Sequence, residues 1–211
     1  MRDFSTGLFD AGLLYRKTEA FAGKHELEDT LSALPFAKKA HQGQLRDCAQ
    51  TVPYIVHPLQ MALHAIHMGI GEDEILATAL LHDVCEDCNI SKEELPVSES
   101  VREAVMLLTK DWGSGEKTKE KEDLYYKKIS ENKTATIVKL LDRCNNVSSM
   151  ASGFTQKRIA GYLQETEEYY MPLMETALER YPEFREQIFL IYYQMHSVME
   201  ALERMLRESR Q

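Results

Sequence analysis

The sequence contains no apolar run of 18 residues, the length from which a membrane-spanning helix is recognised. Its N-terminal segment, MRDFSTGLFDAGLLYRK, lacks the long apolar centre and the cleavage site of a signal peptide. Positive charge is also scarce, since 25 Lys and Arg stand against 34 Asp and Glu and leave a net charge of −9. We therefore expect a cytoplasmic protein that binds neither membranes nor nucleic acid, because nucleic-acid binding requires a basic surface.

This charge balance still permits a small phosphorylated substrate. A metal ion and a few local Lys or Arg residues can reverse the electrostatic field inside a single pocket. The expected partner is therefore a small molecule rather than a polymer.

Cysteine is scarce too, with four residues in 211. Cys85 and Cys88 form a C-x-x-C pair, a spacing used in zinc and redox sites, but Cys48 and Cys144 supply no second pair. We interpret all four as reduced thiols. Because Cys85 and Cys144 lie beside the polar clusters described below, we hypothesise that they are sensitive to oxidation.

Strict alternation of apolar and polar residues, which is typical of strands, is not sustained anywhere in the chain. Apolar residues recur instead at helical spacing, and Pro and Gly residues mark the helix ends. The pattern predicts helices over 6–22, 27–42, 58–69, 72–86, 98–110, 118–131, 134–149, 155–180 and 183–208. The segment LRDCAQTVPY (45–54) is predicted to be a loop, and KDWGSGEKTKEKED (110–123) to be the most mobile segment.

The length suits one domain, which can bury roughly 70% of its unfolded surface without disulfides. We predict a single all-α domain over 1–211, with a core over 26–180, an N-terminal helix over 1–25 and an additional C-terminal helix over 181–211. The last helix carries an apolar stripe that favours core or a dimer seam over a ligand groove, so a homo-oligomer is one expectation. The stripe consists of Phe189, Tyr192, Tyr193, Met195, Val198, Met199, Leu202 and Met205.

Acidic residues crowd together directly after the apolar run ILATALL (75–81), in the string HDVCED (82–87). On a continuous helix His82 would share a face with Glu86, and Asp83 with Asp87, because each pair is four residues apart. An imidazole with carboxylates suits Mn²⁺, Fe²⁺ or Zn²⁺, and the oxygen-rich mixture favours Mn²⁺. A metal ion would offset the repulsion between the carboxylates, although an exposed helix end explains the crowding without one.

Two further segments strengthen the metal interpretation. PYIVHP places His57 at a helix start between Pro53 and Pro58, where its flanks are rigid. In IVKLLDRCNN (137–146), Asp142 follows core-type residues inside a helix, where a buried and unpaired carboxylate is costly. A metal ion would remove that cost, and so would a salt bridge to Arg143 or another basic residue.

The order His57, His82–Asp83, Asp142 resembles the metal-binding pattern of the HD phosphohydrolase superfamily. More narrowly, residues 36–174 resemble the hydrolase domain of the RelA/SpoT homologues, including stand-alone small alarmone hydrolases. The matching segments are FAKKAHQGQLR, PYIVHP, ATALLHDVCED, LLTK, VKLLDRCNN and ETEEYYMPLM. The resemblance implies an HD-domain helical bundle that removes the 3′-pyrophosphate from guanosine tetra- or pentaphosphate.

The resemblance also implies roles for the residues at matching positions. Glu86 and Asp87 would be the catalytic acids that orient or move a proton of the attacking water. Mn²⁺, the metal that family likeness favours, would be held by His57, His82, Asp83 and Asp142. Substrate would be bound by Arg46 at the base or a phosphate, by Asn146 near the ribose, and by the weaker candidates Tyr54, Lys139 and Arg143, for which a structural role fits as well.

The chain departs from the family pattern at the substrate rim. Asp47 stands where a lysine is common, the family's LADRLHN reads LLDRCNN, and RIAGYLQET is longer than the usual spacing. Lys157 or Arg158 could supply the missing positive charge. Two other functions therefore stay open: a phosphatase acting on another nucleotide, such as a nucleoside 3′-phosphate or NADPH, and a nucleotide sensor without turnover.

Overall fold

The computed structural model of the protein describes residues 4–46, 49–110 and 117–208. Its helices are α1 (Phe4–Phe9), α2 (Ala11–Lys24), α3 (Glu28–Ala40), α4 (Val56–His67), α5 (Asp73–Leu81), α6 (Val84–Asp87), α7 (Glu99–Leu108), α8 (Lys119–Ser130), α9 (Lys133–Ser149), α10 (Gln156–Glu165), α11 (Met171–Arg180) and α12 (Arg185–Glu208). Asp47, Cys48 and part of the segment predicted to be mobile lie outside the described residues. The prediction of an all-α fold is confirmed.

The predicted loop over 45–54 is wrong in part, because it contains a small antiparallel hairpin. Strands β1 (Leu45–Arg46) and β2 (Ala49–Pro53) pair, and the backbone N–H of Tyr54 donates to the Gln44 carbonyl at 2.9 Å. Strands of two and five residues are too short for an alternating pattern to be visible in the sequence. The hairpin brings Arg46 and Tyr54 to the start of α4.

Two predicted helices are interrupted. The first divides at Asp10, whose side chain accepts a hydrogen bond from the Leu13 N–H at 2.9 Å and caps α2. The second, predicted over 72–86, ends at Leu81 and begins again at Val84, because Asp83 (φ −102°, ψ −4°) departs from helical geometry. This second break lies inside the HDVCED string and changes where its side chains point.

The core is built around α5 and α9. All residues of α5 from Ile75 to Leu81 are buried, since the helix packs against α3, α4, α7 and α9. A helix that is apolar on every side belongs in the centre of a domain. A single cluster of buried apolar side chains extends from Leu14 on α2 to Leu202 on α12, so helices near both ends of the chain pack on the same core.

The apolar stripe of α12 is divided between core and surface. Met195, Met199 and Leu202 are buried, whereas Phe189 and Tyr193 are 60% and 65% exposed. The buried side of the stripe therefore belongs to the core, as expected. A dimer contact through the exposed side stays a prediction. Among the described helices, none combines the length and apolar content that crossing a membrane would take.

Candidate metal centre and adjoining pocket

Four predicted ligands from α4, the α5–α6 break and α9 converge on one point. His57 Nε2 lies 3.2 Å from Asp142 Oδ1 and 3.9 Å from Asp83 Oδ2. His82 Nε2 lies 2.9 Å from Asp83 Oδ2 and 3.9 Å from Asp142 Oδ1. Two ligand atoms about 2.1 Å from one ion, at octahedral or tetrahedral angles, are about 3.0–3.4 Å apart. His57, His82 and Asp83 each offer a ligand atom within 4.8 Å of the other two, which suits a single divalent cation, and Asp142 Oδ1 adjoins both imidazole nitrogens as the expected fourth ligand.

The hydrogen bonds of the two imidazoles direct both Nε2 atoms into this centre. His57 Nδ1 lies 2.8 Å from Asn145 Oδ1, and His82 Nδ1 lies 2.9 Å from the Ala79 carbonyl. An acceptor at Nδ1 favours the tautomer whose Nε2 carries a lone pair. His82 is only 4% exposed, and its Nε2 faces Asp83 Oδ2 at 2.9 Å without an aligned hydrogen bond among the described residues. A buried nitrogen that faces a carboxylate in this way fits a metal ligand.

The electrostatics of the centre favour a positive charge. Burial lowers the pKa of His82, but the Asp83 and Asp142 carboxylates outweigh burial and raise it to about 9. Burial alone would raise the pKa of Asp142, yet Lys139 and the two histidines hold it well below its usual range. Burial also lowers the pKa of His57, which keeps that ring neutral. The carboxylates thus stay ionised and ready to hold a cation.

Glu86 and Asp87 lie on the short helix α6 beside this centre, and both line the adjoining pocket. Glu86 Oε2 accepts a hydrogen bond from the Lys110 backbone N–H at 3.2 Å, which orients its carboxylate. Burial, followed by the neighbouring charges of Asp83 and Glu86, raises the pKa of Asp87 to about 6. The two carboxylates therefore differ in environment, and Asp87 can exchange a proton close to neutral pH.

The pocket beside the centre has a volume of about 320 Å³. Its lining includes the predicted substrate residues Arg46, Tyr54, Lys139 and Asn146. Arg46 Nη2 donates to Asn146 Oδ1 at 3.3 Å and to Ser149 Oγ at 3.1 Å, which joins the hairpin to α9. Asn146 Nδ2 in turn donates to Asp142 Oδ1 at 2.6 Å. The candidate substrate residues are therefore tied directly to the candidate metal ligands.

Tyr54 has a second contact that the sequence did not indicate. Its hydroxyl donates a short hydrogen bond to Asp83 Oδ2. Burial, and then the charge of Asp83, raises the pKa of Tyr54, so the hydroxyl remains a donor. Tyr54 thus holds a candidate metal ligand in addition to lining the pocket.

Lys139 and Arg143, the weaker substrate candidates, differ in position. Lys139 is buried with Nζ 3.5 Å from Asp142 Oδ2, and it reaches the pocket wall. Arg143 does not line the pocket. Its guanidinium donates to Glu165 Oε2 at 2.5 Å, so the salt bridge from Asp142 to Arg143 that the sequence left open does not form. Lys139 is the basic partner of Asp142 instead.

A π turn over Thr166–Tyr170 sets up the surroundings of Arg143. Residues five apart diverge by about 140° on a regular α-helix, whereas a π turn brings them closer to one face. Glu165 pairs with the Arg143 guanidinium, and the Tyr170 ring centre lies 4.0 Å from it. The prediction of one unbroken helix over 155–180 missed this turn, because the apolar spacing hardly changes across it.

The pocket wall also includes residues to which the sequence assigned no role. Phe154 and Tyr162 line it, and the Arg158 guanidinium lies 3.7 Å from the Phe154 ring centre. The sequence offered Arg158 only as a replacement charge together with Lys157, and Lys157 does not line the pocket. The four-residue spacing of Arg158 and Tyr162 on α10 was the available signal, but it is common on solvated helix faces.

The three described cysteines are not part of the group of side chains that could hold a metal. Cys85, Cys88 and Cys144 are free thiols, and burial raises the pKa of each. Cys88 Sγ lies 3.5 Å from His41 Nδ1, and the His41 ring packs on Tyr54 with ring centres 4.7 Å apart. His41, which follows the last residue of α3, therefore supports the side of the centre that holds Tyr54.

A helical bundle that gathers two His and two Asp side chains in this order defines a metal-binding domain of the HD type. The chain belongs to the HD-domain family, since the sequence model described as "HD domain" matches residues 33–177. This match confirms the family that the motifs indicated. It also falls within the core predicted over 26–180.

Curated relatives match about two thirds of the chain. A guanosine-3′,5′-bis(diphosphate) 3′-pyrophosphohydrolase of Aquifex aeolicus is 34% identical over 152 residues, which are 69% of this chain and 21% of that protein. The MESH1 protein of Xenopus tropicalis, which bears the same enzyme name, is 31% identical over 153 residues, 69% of this chain and 85% of its own. The chain thus spans about a fifth of the Aquifex relative and most of the Xenopus one.

A solved structure of a metazoan SpoT orthologue, described as hydrolysing ppGpp, has a similar fold. The similarity has a TM-score of 0.64 at 21% identity and covers 82% of this chain and 95% of the other. At this identity the match supports the fold, and the residues of the site carry the functional argument.

Proposed function

We propose that this protein is a metal-dependent phosphohydrolase that removes the 3′-pyrophosphate from guanosine tetra- or pentaphosphate, giving GDP or GTP, respectively, and pyrophosphate. The observation that carries the proposal is the convergence of His57, His82, Asp83 and Asp142 beside the Glu86–Asp87 pair. Relatives named as guanosine-3′,5′-bis(diphosphate) 3′-pyrophosphohydrolases support this substrate.

The four converging side chains are the proposed metal ligands. The two-oxygen, two-nitrogen set suits Mn²⁺, and Fe²⁺ or Zn²⁺ are accepted by the same donors. Such an ion supplies a nucleophile at neutral pH and polarises phosphoryl oxygens. Lys139 neutralises part of the carboxylate charge, and Tyr54 fixes Asp83 by its hydrogen bond.

Glu86 and Asp87 are the proposed catalytic acids. Asp87, with its pKa raised to about 6, is suited to accept a proton from the attacking water and to return it to the leaving group. Glu86, oriented by the Lys110 N–H, is suited to align that water.

Substrate binding is assigned to the side of the pocket formed by the hairpin and α9. Arg46 and Asn146 present a guanidinium and an amide to the base or ribose, as the family resemblance implies. Arg158 and Lys110 add positive charge at the pocket wall, which suits a phosphorylated ligand. Arg143 is better explained as a structural residue than as a substrate contact.

A product assay tests the proposal. Purified protein is incubated with ppGpp and Mn²⁺, Fe²⁺ or Zn²⁺, and the expected result is release of pyrophosphate with GDP. Release of orthophosphate from a nucleoside 3′-phosphate or NADPH, with ppGpp untouched, would instead indicate a phosphatase. Tight ppGpp binding without turnover in any divalent metal would indicate a sensor.

Three further expectations belong with this proposal. We infer that residues 1–211 form one domain, which the shared apolar cluster from Leu14 to Leu202 supports. A cytoplasmic location and the lack of nucleic-acid or membrane binding rest on the acidic charge. A homo-oligomer through the exposed side of α12 rests on Phe189, Tyr192 and Tyr193.

A further inference from the structure

A chain of hydrogen bonds runs from His57 to the N-terminal helix α1. His57 Nδ1 lies 2.8 Å from Asn145 Oδ1, and Asn145 Nδ2 donates to Gln60 Oε1 at 3.1 Å. Gln60 Nε2 then donates to the backbone carbonyl of Leu8 at 2.5 Å. The chain joins α4, α9 and α1 through side chains that do not line the pocket.

The donor and acceptor of each hydrogen bond in this series follow from its last group, the Leu8 carbonyl. The Leu8 carbonyl can only accept, so Gln60 presents its amide nitrogen to Leu8 and its oxygen to Asn145. Asn145 must then donate through Nδ2, which leaves its oxygen facing His57. An oxygen acceptor at this position requires a hydrogen on His57 Nδ1.

The tautomer of His57 decides whether it can bind a metal. A neutral imidazole carries one N–H, so a hydrogen on Nδ1 leaves the lone pair on Nε2, the atom 3.2 Å from Asp142 Oδ1. The opposite tautomer would aim an N–H at Asp142 Oδ1 in place of the lone pair, and would place two acceptors against each other at Asn145. Because His57 is 1% exposed, solvent cannot replace the lost bond.

We propose that Asn145 is a positioning residue that holds His57 in its metal-binding tautomer, and that Gln60 and the Leu8 carbonyl of α1 fix the orientation of Asn145. The inference deepens the proposed function and rests on the metal-binding role of His57. It gives α1 a part in the site, although no described side chain of α1 lines the pocket. Asn145 is also a position at which LLDRCNN departs from the family's LADRLHN.

Three variants and one matched control test this series of hydrogen bonds in the full-length protein. Asn145→Leu removes the acceptor, Asn145→Asp keeps it, and Gln60→Met frees the Asn145 amide to rotate. Gln187→Met is the control, because Gln187 also donates to a backbone carbonyl (Met68, 3.2 Å) but has no link to His57. The measurements are Mn²⁺ affinity and the imidazole ¹⁵N spectrum of the metal-free protein, with the His57 signal assigned by its loss in His57→Gln.

The wild-type spectrum is expected to show hydrogen on His57 Nδ1. Asn145→Leu is expected to weaken Mn²⁺ binding by about 10- to 100-fold, the usual effect of removing a partner of a metal ligand. Gln60→Met should lose about tenfold, at the lower end of that range. Asn145→Asp should retain most of the affinity, and Gln187→Met should retain all of it.

An Nε2–H tautomer in the wild type would overturn the inference, as would an Asn145→Asp variant that loses metal as completely as Asn145→Leu. Asn145→Asp also guards against misfolding of the leucine variant, because it preserves size and the acceptor. If the wild type binds no divalent metal, the proposed function fails, and the ¹⁵N spectrum still decides the hydrogen-bond polarity.

Discussion

The Arg143 guanidinium carbon lies 4.0 Å from the centre of the Tyr170 ring, and both side chains are almost fully buried. The same guanidinium pairs with Glu165 and lies 4.5 Å from the Tyr162 ring centre. Arg143 therefore holds α9 against α10 and the π turn. The arrangement combines a charge-assisted hydrogen bond with stacking, which Lys does not reproduce.

Arg143→Met should lower the free energy of unfolding by about 3 kcal/mol, the lower end of the cost of breaking a buried ion pair, because Glu165 remains partly hydrated. Urea unfolding measures the change, and Arg143→Lys should recover only part of it. The KM of the surviving folded enzyme should stay near the wild-type value. A stable variant with a strongly raised KM would restore the substrate-binding role.

Asp142→Ala and Glu86→Gln should separate metal binding from turnover. Removing the Asp142 carboxylate takes away one proposed ligand and leaves Lys139 without its partner, so Mn²⁺ binding should be lost. Glu86→Gln keeps the shape of the side chain, so the metal should bind as before while kcat falls by about 10²- to 10⁴-fold. Calorimetric titration with Mn²⁺ measures metal binding, and the pyrophosphate assay measures turnover. If Glu86→Gln lost the metal and Asp142→Ala kept it, the assignments of ligand and catalytic acid would be wrong.

Metal affinity should rise with pH over a window set by His82. The ordinary histidine pKa predicts weaker binding only below about pH 6.5. In the metal-free protein the pKa of His82 is about 9, so binding must displace a proton throughout the neutral range. The Mn²⁺ affinity should rise about tenfold per pH unit between about 7 and 9 and then level off.

The raised pKa of His82 also predicts how the stability of the metal-free protein depends on pH. A raised pKa in the folded state stabilises the fold fully below about pH 6.5, and this contribution is lost as pH rises towards 9. Thermal unfolding from pH 6 to 9 should therefore show a falling midpoint without metal, and His82→Gln should flatten the profile. A midpoint that rises through this window in the wild type would contradict the assignment.

Asp87 should set the acidic limb of the activity profile. Its pKa of about 6 predicts that kcat/KM falls about tenfold per unit below pH 6, where the carboxyl becomes protonated. The ionised Asp87 carboxylate favours activity but lowers the stability of the fold, because a carboxyl whose pKa is raised in the folded state destabilises that state at neutral pH. Asp87→Asn should therefore lose activity yet unfold at a slightly higher temperature at pH 7.5, and this difference should disappear below about pH 3, where the carboxyl is protonated in both the folded and the unfolded state.

The helical fold and the candidate ligands could be predicted because each produces a local pattern. The apolar spacing of α5 and α9 indicates buried helices, and Asp142 is conspicuous within one of them. The family motifs then connect His57 with His82–Asp83 across the chain. Proximity in space, which the sequence could only imply, follows from the packing of α4, α5 and α9.

Other features have no local pattern. The hairpin is too short to show alternation, and the break at Asp83 interrupts a helix whose apolar side continues unchanged. Asn145 has a neighbour, Asn146, of the same type, and only the fold shows that one faces His57 while the other faces Arg46. Such distinctions depend on side-chain direction, which a rotation of about 100° per residue changes completely.

The interruption of the helix between Leu81 and Val84 has a consequence for how the centre is assembled. Adjacent residues on an unbroken helix diverge by about 100°, whereas His82 and Asp83 bring their donor atoms within 2.9 Å. The two residues of this break therefore provide two of the four proposed metal ligands, and the acids Glu86 and Asp87 that follow them line the pocket. A single residue inserted after Asp83 would rotate Glu86 and Asp87 away from the proposed metal ligands. Metal binding and proton transfer would then no longer occur at the same place, although all of these side chains would still be present.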